Sequence, residues 1–124
     1  SLGVDSGYVP YTAYSAKKSY INKNPDIIQG FTNALQRGME YVNSHSSTDI
    51  AKVIAPQFPD TDVDTIALIV ERYKAQDTWK NDLIFTDNSF TLLQDILYEA
   101  GVITEYAPYK DLVDTTFAEK AAEK

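Results

Sequence analysis

Four stretches of this chain repeat apolar residues at intervals of three and four, and each follows a residue suited to start a helix. In the longest, Ile27, Ile28, Phe31, Ala34, Leu35, Met39 and Val42 form one stripe at the 3.6-residue period. Before it stand Asn24 in the N-cap position, Pro25 at the first helical position and Asp26 in the first turn. Each suits the unpaired N–H groups and the positive dipole end of a helix start. The pattern predicts a helix from Pro25 to about Asn43. Gly30 and Gly38 lie inside it, each costing about 1 kcal/mol relative to Ala, which points to close packing against a neighbour.

After a polar linker over residues 44–47, a second helix is expected from Thr48-Asp49, carrying Ile50, Ala51, Val53 and Ile54 and stopping before Pro56. Residues 56–59 read as a turn. Thr61 and Asp64 imitate a capping box, and Val63, Ile66, Ile69, Val70 and Tyr73 give the stripe of a third helix. Residues 75–85 form a loop or broken helix. Thr86 then caps a fourth helix with stripe Phe90, Leu93, Ile96, Leu97 and Ala100, which Gly101 stops in the left-handed conformation. Residues 102–107 are irregular, Pro108 restarts the chain, and a short final helix falls within residues 112–122.

The lead segment follows a different period. Pro10 disfavours a helix, and Tyr11, Ala13 and Ser15 alternate with Thr12, Tyr14 and Ala16, so residues 8–16 read as a strand with Pro10 at its start or on an edge. A helical turn follows at residues 17–21. The fold class predicted is therefore mostly α, with four to five helices and one short extended segment.

Composition narrows the function more than the fold. Eleven basic against eighteen acidic residues leave a net charge of −7, which removes the electrostatic attraction that nucleic-acid binding needs. There is no cysteine, hence no disulfide, thiolate nucleophile or Cys-ligated metal. No apolar run approaches the roughly 18 residues of a membrane span. The chain opens Ser1-Leu2-Gly3 without an initiator Met, so it is expected to be a piece of something longer, with any targeting signal upstream.

His45 is the single histidine and sits in a polar linker. A triad could be written on paper with Ser46 or Ser47 and Asp49, but an exposed loop histidine is the simpler reading. Asp26, Asp49, Asp62 and Asp87 fall in or near predicted first turns, where carboxylates complement the dipole and make those ends poor anion sites. No metal site, cofactor motif or catalytic group is expected. Direct ligand contact is better served by the aromatic segment, where Tyr11, Thr12 and Tyr14 offer stacking faces and hydroxyls. Asp77 and the lone Trp79, beside Thr78, form a second candidate: an acid and a ring that could pair with and cover a ligand. The structural alternative places the tyrosines in an ordinary sheet and makes Trp79 a loop anchor.

Taken in order, Val9-Pro10-Tyr11-Thr12-Ala13, Ala16-Lys17-Lys18-Ser19-Tyr20-Ile21, Asn24-Pro25, Phe31-Thr32-Asn33-Ala34, Asp77-Thr78-Trp79 and Asp111-Leu112-Val113-Asp114-Thr115-Thr116-Phe117 give the chain its family likeness. It resembles the C-terminal part of the extracytoplasmic solute-binding proteins of ABC importers, in the branch for thiamine-pyrimidine precursors, sulfonates, taurine and nitrate. The resemblance implies a parent of two α/β lobes, the periplasmic-binding-protein type II fold, closing over one solute. Residues 1–22 would be the cleft-side strand and turn, and residues 23–124 the helical part. It further implies delivery to permease subunits, an extracytoplasmic location through an upstream lipid anchor, no chemistry on the cargo, and self-association of the isolated piece. The alternatives are a fragment of a related pyrimidine-synthase-like enzyme and a free-standing helical interaction domain.

Overall fold

Capping chemistry sets most of the helix starts. In a computed structural model, which describes residues 7–10 and 12–123, the helices are α1 (Lys18–Lys23), α2 (Pro25–Ser44), α3 (Ser47–Ile54), α4 (Val63–Ala75), α5 (Asp87–Glu99), α6 (Tyr109–Leu112) and α7 (Thr116–Ala122). A 3-10 turn over Ala55–Gln57 extends α3 past Pro56. The Ser46 hydroxyl accepts from the Asp49 N–H at 3.1 Å and the Thr86 hydroxyl from the Ser89 N–H at 3.2 Å, closing the first turns of α3 and α5. For α4 the cap is Asp62 rather than Thr61, because its carboxylate accepts from both the Thr65 N–H (2.9 Å) and the Thr65 hydroxyl (2.7 Å). Those bonds hold the Asp62 carboxyl below its ordinary value.

Helix α2 begins at Pro25 and runs to Ser44, within a residue of the sequence expectation. Asn24 occupies the N-cap position without capping: its amide turns back and donates to Tyr20 O at 3.1 Å, closing α1 instead. Helix α5 ends as predicted. Gly101 has φ +70, its N–H donates to Tyr98 O at 2.9 Å, and the Val102 N–H donates to Leu97 O at 2.8 Å, the two bonds of a Schellman motif. The final helix expected within residues 112–122 is α7, and the short α6 over Tyr109–Leu112 precedes it unforeseen. Val113 takes extended backbone after α6, and the Asp114 carboxylate accepts from the Thr116 N–H at 3.0 Å to begin α7.

The expected strand over residues 8–16 has no ladder. A strand requires a partner edge for its backbone N–H and C=O groups, and no strand exists among the described residues. The described part of this segment is irregular, and Lys17, which leads into α1, has extended backbone at φ −64°, ψ 136°. Tyr11 lies outside the described residues.

The main core lies between α3 and α4, where Ile50, Ala51, Ile66 and Val70 are buried. Each buried Ile or Val removes apolar surface worth about 1.5–3 kcal/mol. Tyr41 and Val42 from α2, Ile54, Val63, Ala67 and Trp79 close over them. A second cluster stacks Phe90 of α5 between Phe85 and Tyr109 of α6, both edge-on with centroids 5.8 Å away, and the Tyr109 hydroxyl donates to Phe85 O. Gln94, 7% exposed, ties the following loop to α5 by accepting from the Ala107 N–H (2.7 Å) and donating to Ala107 O (3.2 Å).

Helix α2 reverses the expected arrangement. Its buried residue is Gln36, 5% exposed, whereas Ile27 and Phe31 of its apolar stripe are exposed. Gln29, Asn33, Gln36, Glu40 and Asn43 follow one another at alternating steps of four and three, which puts them on one seam. Along it Gln29 donates to Phe117 O of α7 at 2.9 Å, Gln36 to Asn81 O at 3.0 Å, and Asn43 to Lys80 O at 3.1 Å. A Cβ added at Gly30 or Gly38 meets nothing within 4 Å, so neither glycine serves close packing inside this chain. The accessible surface is 9320 Å², whereas a folded monomer of 13.9 kDa exposes about 6,700 Å².

Candidate functional site

The turn after α4 brings Asp77 and Lys80 together with Tyr8, 69 positions from Asp77. Asp77 sits at φ +53°, a left-handed conformation that Asp tolerates better than most residues, and this directs the chain sharply out of the helix. Its carboxylate accepts from the Lys80 ammonium and from the Tyr8 hydroxyl, the latter at 3.0 Å. Lys80 Nζ also lies 3.4 Å from the Tyr8 ring centroid, a cation–π contact. Hydrogen bonds from Lys80 first and Tyr8 second hold the Asp77 carboxyl below its ordinary value. The cluster is exposed, so it orients the lead segment more than it stabilises the fold. A Cβ on Gly7 would lie 3.5 Å from Leu92 Cδ2, which places the start of the same segment beside α5.

Of the residues singled out from sequence, Asp77 is in this cluster and Trp79 is two positions away with a different task. The Trp79 ring packs against the α3–α4 core and stands edge-on to Tyr73, with centroids 5.6 Å apart. Thr12 is exposed. Tyr14 is 75% exposed and meets Phe31 of α2 edge-on at 5.1 Å. Tyr11 falls outside the described residues. The structure therefore splits the predicted set into an Asp77 turn and a Tyr14–Phe31 aromatic pair. Tyr8 and Lys80 complete the turn and were not picked out by the sequence reading. Lys80 carried a usable signal, because an acid and a lysine three residues apart in a turn are within reach of each other.

The remaining chemistry is structural. His45 stacks on Tyr41 with centroids 3.7 Å apart, and its Nδ1 lies 2.9 Å from both Tyr41 O and Ser44 Oγ. Ser46 donates to Asp49 Oδ2 at 2.6 Å as part of its cap. Ser46 is thus committed to a helix start, and His45 to a helix end. Lys74 of α4 also serves that end, donating to Val42 O at 2.9 Å and His45 O at 2.7 Å. Among the described residues no group of three or more His, Cys, Asp or Glu could hold a metal ion.

Two open recesses flank α2 where α7 crosses it. One, of about 420 Å³, is lined by Pro25, Asp26, Gln29, Phe117, Lys120 and Glu123. The other, of about 430 Å³, is lined by Gly30, Asn33, Gln36, Arg37, Glu40 and Ala121. Neither includes Thr12, Tyr14, Asp77 or Trp79.

Comparison with known proteins gives one informative likeness. The chain is 40% identical over 120 residues to the "Putative binding protein YtlA" of Bacillus subtilis (strain 168), a match covering 97% of this chain and 36% of that protein. The chain thus spans about a third of the length of the curated relative it matches. No protein-family model matches the chain. No solved structure matches it either.

Proposed function

We propose that this chain is part of a solute-binding protein, the substrate-binding component of an ABC importer that hands a small heteroaromatic or sulfonate-type solute to a membrane permease. A thiamine-pyrimidine precursor is the favoured solute. The observation that carries this reading is the 40% identity, sustained over 97% of the chain, to a protein named as a binding protein. A likeness that covers 97% of the chain points to a shared fold rather than a shared motif. An extracytoplasmic location, with an upstream lipid anchor, follows from the same proposal.

Geometry adds a supporting argument. The exposed Tyr14–Phe31 pair and the Asp77 turn supply flat apolar surface and hydrogen-bonding groups, but neither of the two recesses beside α2 contains them. Binding sites for small molecules enclose most of the ligand surface. The cleft is therefore completed by further structure in the functional protein, and the chain studied alone self-associates through its exposed apolar residues.

Calorimetric titration tests this directly. The full-length protein is titrated with a hydroxymethylpyrimidine, taurine, an alkanesulfonate and nitrate, and the pyrimidine is expected to bind most tightly. Tyr11→Ala and Tyr14→Ala should each weaken it by about 1–3 kcal/mol, the range for an enclosing aromatic, with His45→Ala neutral. Absence of binding to all four solutes would sink the proposal, and a large loss in the His45 variant would turn attention to an enzyme.

A further inference from the structure

The negative charge of this chain is concentrated. Residues 87–114 contain the acids Asp87, Asp95, Glu99, Glu105, Asp111 and Asp114 and a single base, Lys110, for a net charge of −5. The other 96 of 124 residues hold the remaining twelve acids and ten bases, a net charge of −2. Three of the six acids, Asp95, Glu99 and Glu105, lie at the C-terminal half of α5 and the loop after it. That end of the helix already carries the negative pole of its dipole, and no basic residue stands in its last turn. Among the described residues no cation forms an ion pair with any of the three.

The same corner exposes apolar surface that the fold leaves uncovered. Tyr98 is 52% exposed, Val102 67% and Tyr106 48%. In a Schellman motif the residue in the position of Val102 commonly packs back on the helix, and here two-thirds of it stays exposed. Tyr98 and Tyr106 meet edge-on at 5.5 Å with their planes at 83°, which holds two rings at a right angle. The Tyr106 hydroxyl donates to Asp95 Oδ1 at 2.7 Å and fixes the second ring against the helix. That bond, with the nearby negative charge of Asp95 and Glu99, holds the Tyr106 hydroxyl above its ordinary range.

We infer that the Tyr98–Val102–Tyr106 corner, with Asp95 bonded to Tyr106 and with Glu99 and Glu105 next to the two tyrosines in the chain, is a docking surface for an arginine-bearing segment of a partner protein. Charge complementarity selects the occupant. Carboxylates on the rim attract and orient a cationic segment, and a guanidinium can lie flat on a tyrosine face while its N–H groups reach a carboxylate. An ammonium offers no such plane, and an acidic or nucleic-acid partner meets repulsion. The surface is separate from the aromatic pair and the Asp77 turn assigned to solute binding.

Fluorescence anisotropy with the intact chain tests the inference, using a labelled peptide of alternating arginine and glycine as probe and its glutamate–glycine counterpart as reference. The arginine peptide should bind, and more weakly as salt rises, since exposed charges are screened beyond about 8 Å at physiological ionic strength. The double variant Glu99→Gln/Glu105→Gln and the single variant Tyr98→Ala should each lose about tenfold in affinity. Neutralising distant acids in Asp60→Asn/Glu71→Gln should change it less than about twofold, since additive effects are local. All five positions are exposed, so helical circular dichroism should be unchanged throughout. Binding no stronger than that of the glutamate peptide, insensitivity to the corner variants, or equal loss in the distant variant would each overturn it.

Discussion

Two buried glutamines, made the same way and placed differently, allow the energetics of this fold to be tested sharply. Gln94 is 7% exposed and uses both ends of its amide on one backbone unit, accepting from Ala107 N–H at 2.7 Å and donating to Ala107 O at 3.2 Å. Gln36 is 5% exposed and donates to Glu40 at 3.2 Å and Asn81 O at 3.0 Å, while its own Oε1 is buried without a partner. Replacing each by Met keeps length and flexibility and removes only the amide. At Gln94 the change deletes two hydrogen bonds at about 0.5–1.5 kcal/mol each and leaves a half-buried N–H and C=O unpaired, so about 2–3 kcal/mol of stability is lost. At Gln36 it also deletes two bonds, but Glu40 and Asn81 are exposed and recover water. It further relieves an orphaned acceptor whose burial costs about 1–3 kcal/mol. The two terms nearly cancel, and the net change falls within about 1 kcal/mol of zero. Urea denaturation followed by helical circular dichroism, at unchanged m-value, measures both. Equal destabilisation by the two substitutions would refute the reasoning, because it would mean that hydrogen-bond satisfaction does not govern either site.

Trp79→Ala should destabilise the chain by about 3 kcal/mol, since it opens a cavity beside Ile50, Ile66 and Val70, and thermal denaturation by circular dichroism checks this. Gly30→Ala, at a helical position with open space around it, should stabilise the isolated chain by about 0.5–1 kcal/mol, whereas Gly101→Ala at φ +70° should cost about 1–2 kcal/mol; the same urea assay ranks them. The Asp62 carboxyl is held below its ordinary value of 3.8 by Thr65, so its contribution is full above 3.8 and is lost as pH falls through the lower folded value. Wild type and Asp62→Ala should therefore differ in urea midpoint at neutral pH and converge in acid.

Local signals carried the fold furthest. Pro25, Thr86 and Gly101 act on backbone groups within one turn of themselves, and the structure puts helix boundaries where they predict. Asp62 displaced Thr61 as the α4 cap because a carboxylate can accept from both the N–H and the hydroxyl of Thr65, a competition that spacing alone does not resolve. The extended segment was legible as non-helical, but pairing depends on a second strand, and alternation in one segment says nothing of that. The candidate site was legible as residue types and not as geometry. Asp77 and Tyr8 are 69 positions apart, and only the turn at Asp77 makes them neighbours.

The largest departure lies in α2, and it bears on function. Periodicity identified its apolar stripe, yet the seam facing α7 and the turn after α4 is Gln29, Gln36 and Asn43, which donate to backbone carbonyls. A helix has several faces, and the period reveals how residues are grouped without saying which group the rest of the chain will meet. Polar contacts of this kind position the helix at modest net gain, about 0.5–1.5 kcal/mol per hydrogen bond, while leaving Ile27 and Phe31 exposed, with Tyr14 against Phe31. Of the ring pair proposed for solute contact, Phe31 is thus carried on the long helix α2, and Tyr14 on the irregular segment that precedes α1. A side chain on a long helix is held more precisely than one on a loop, so Phe31 is the better fixed ring of the two.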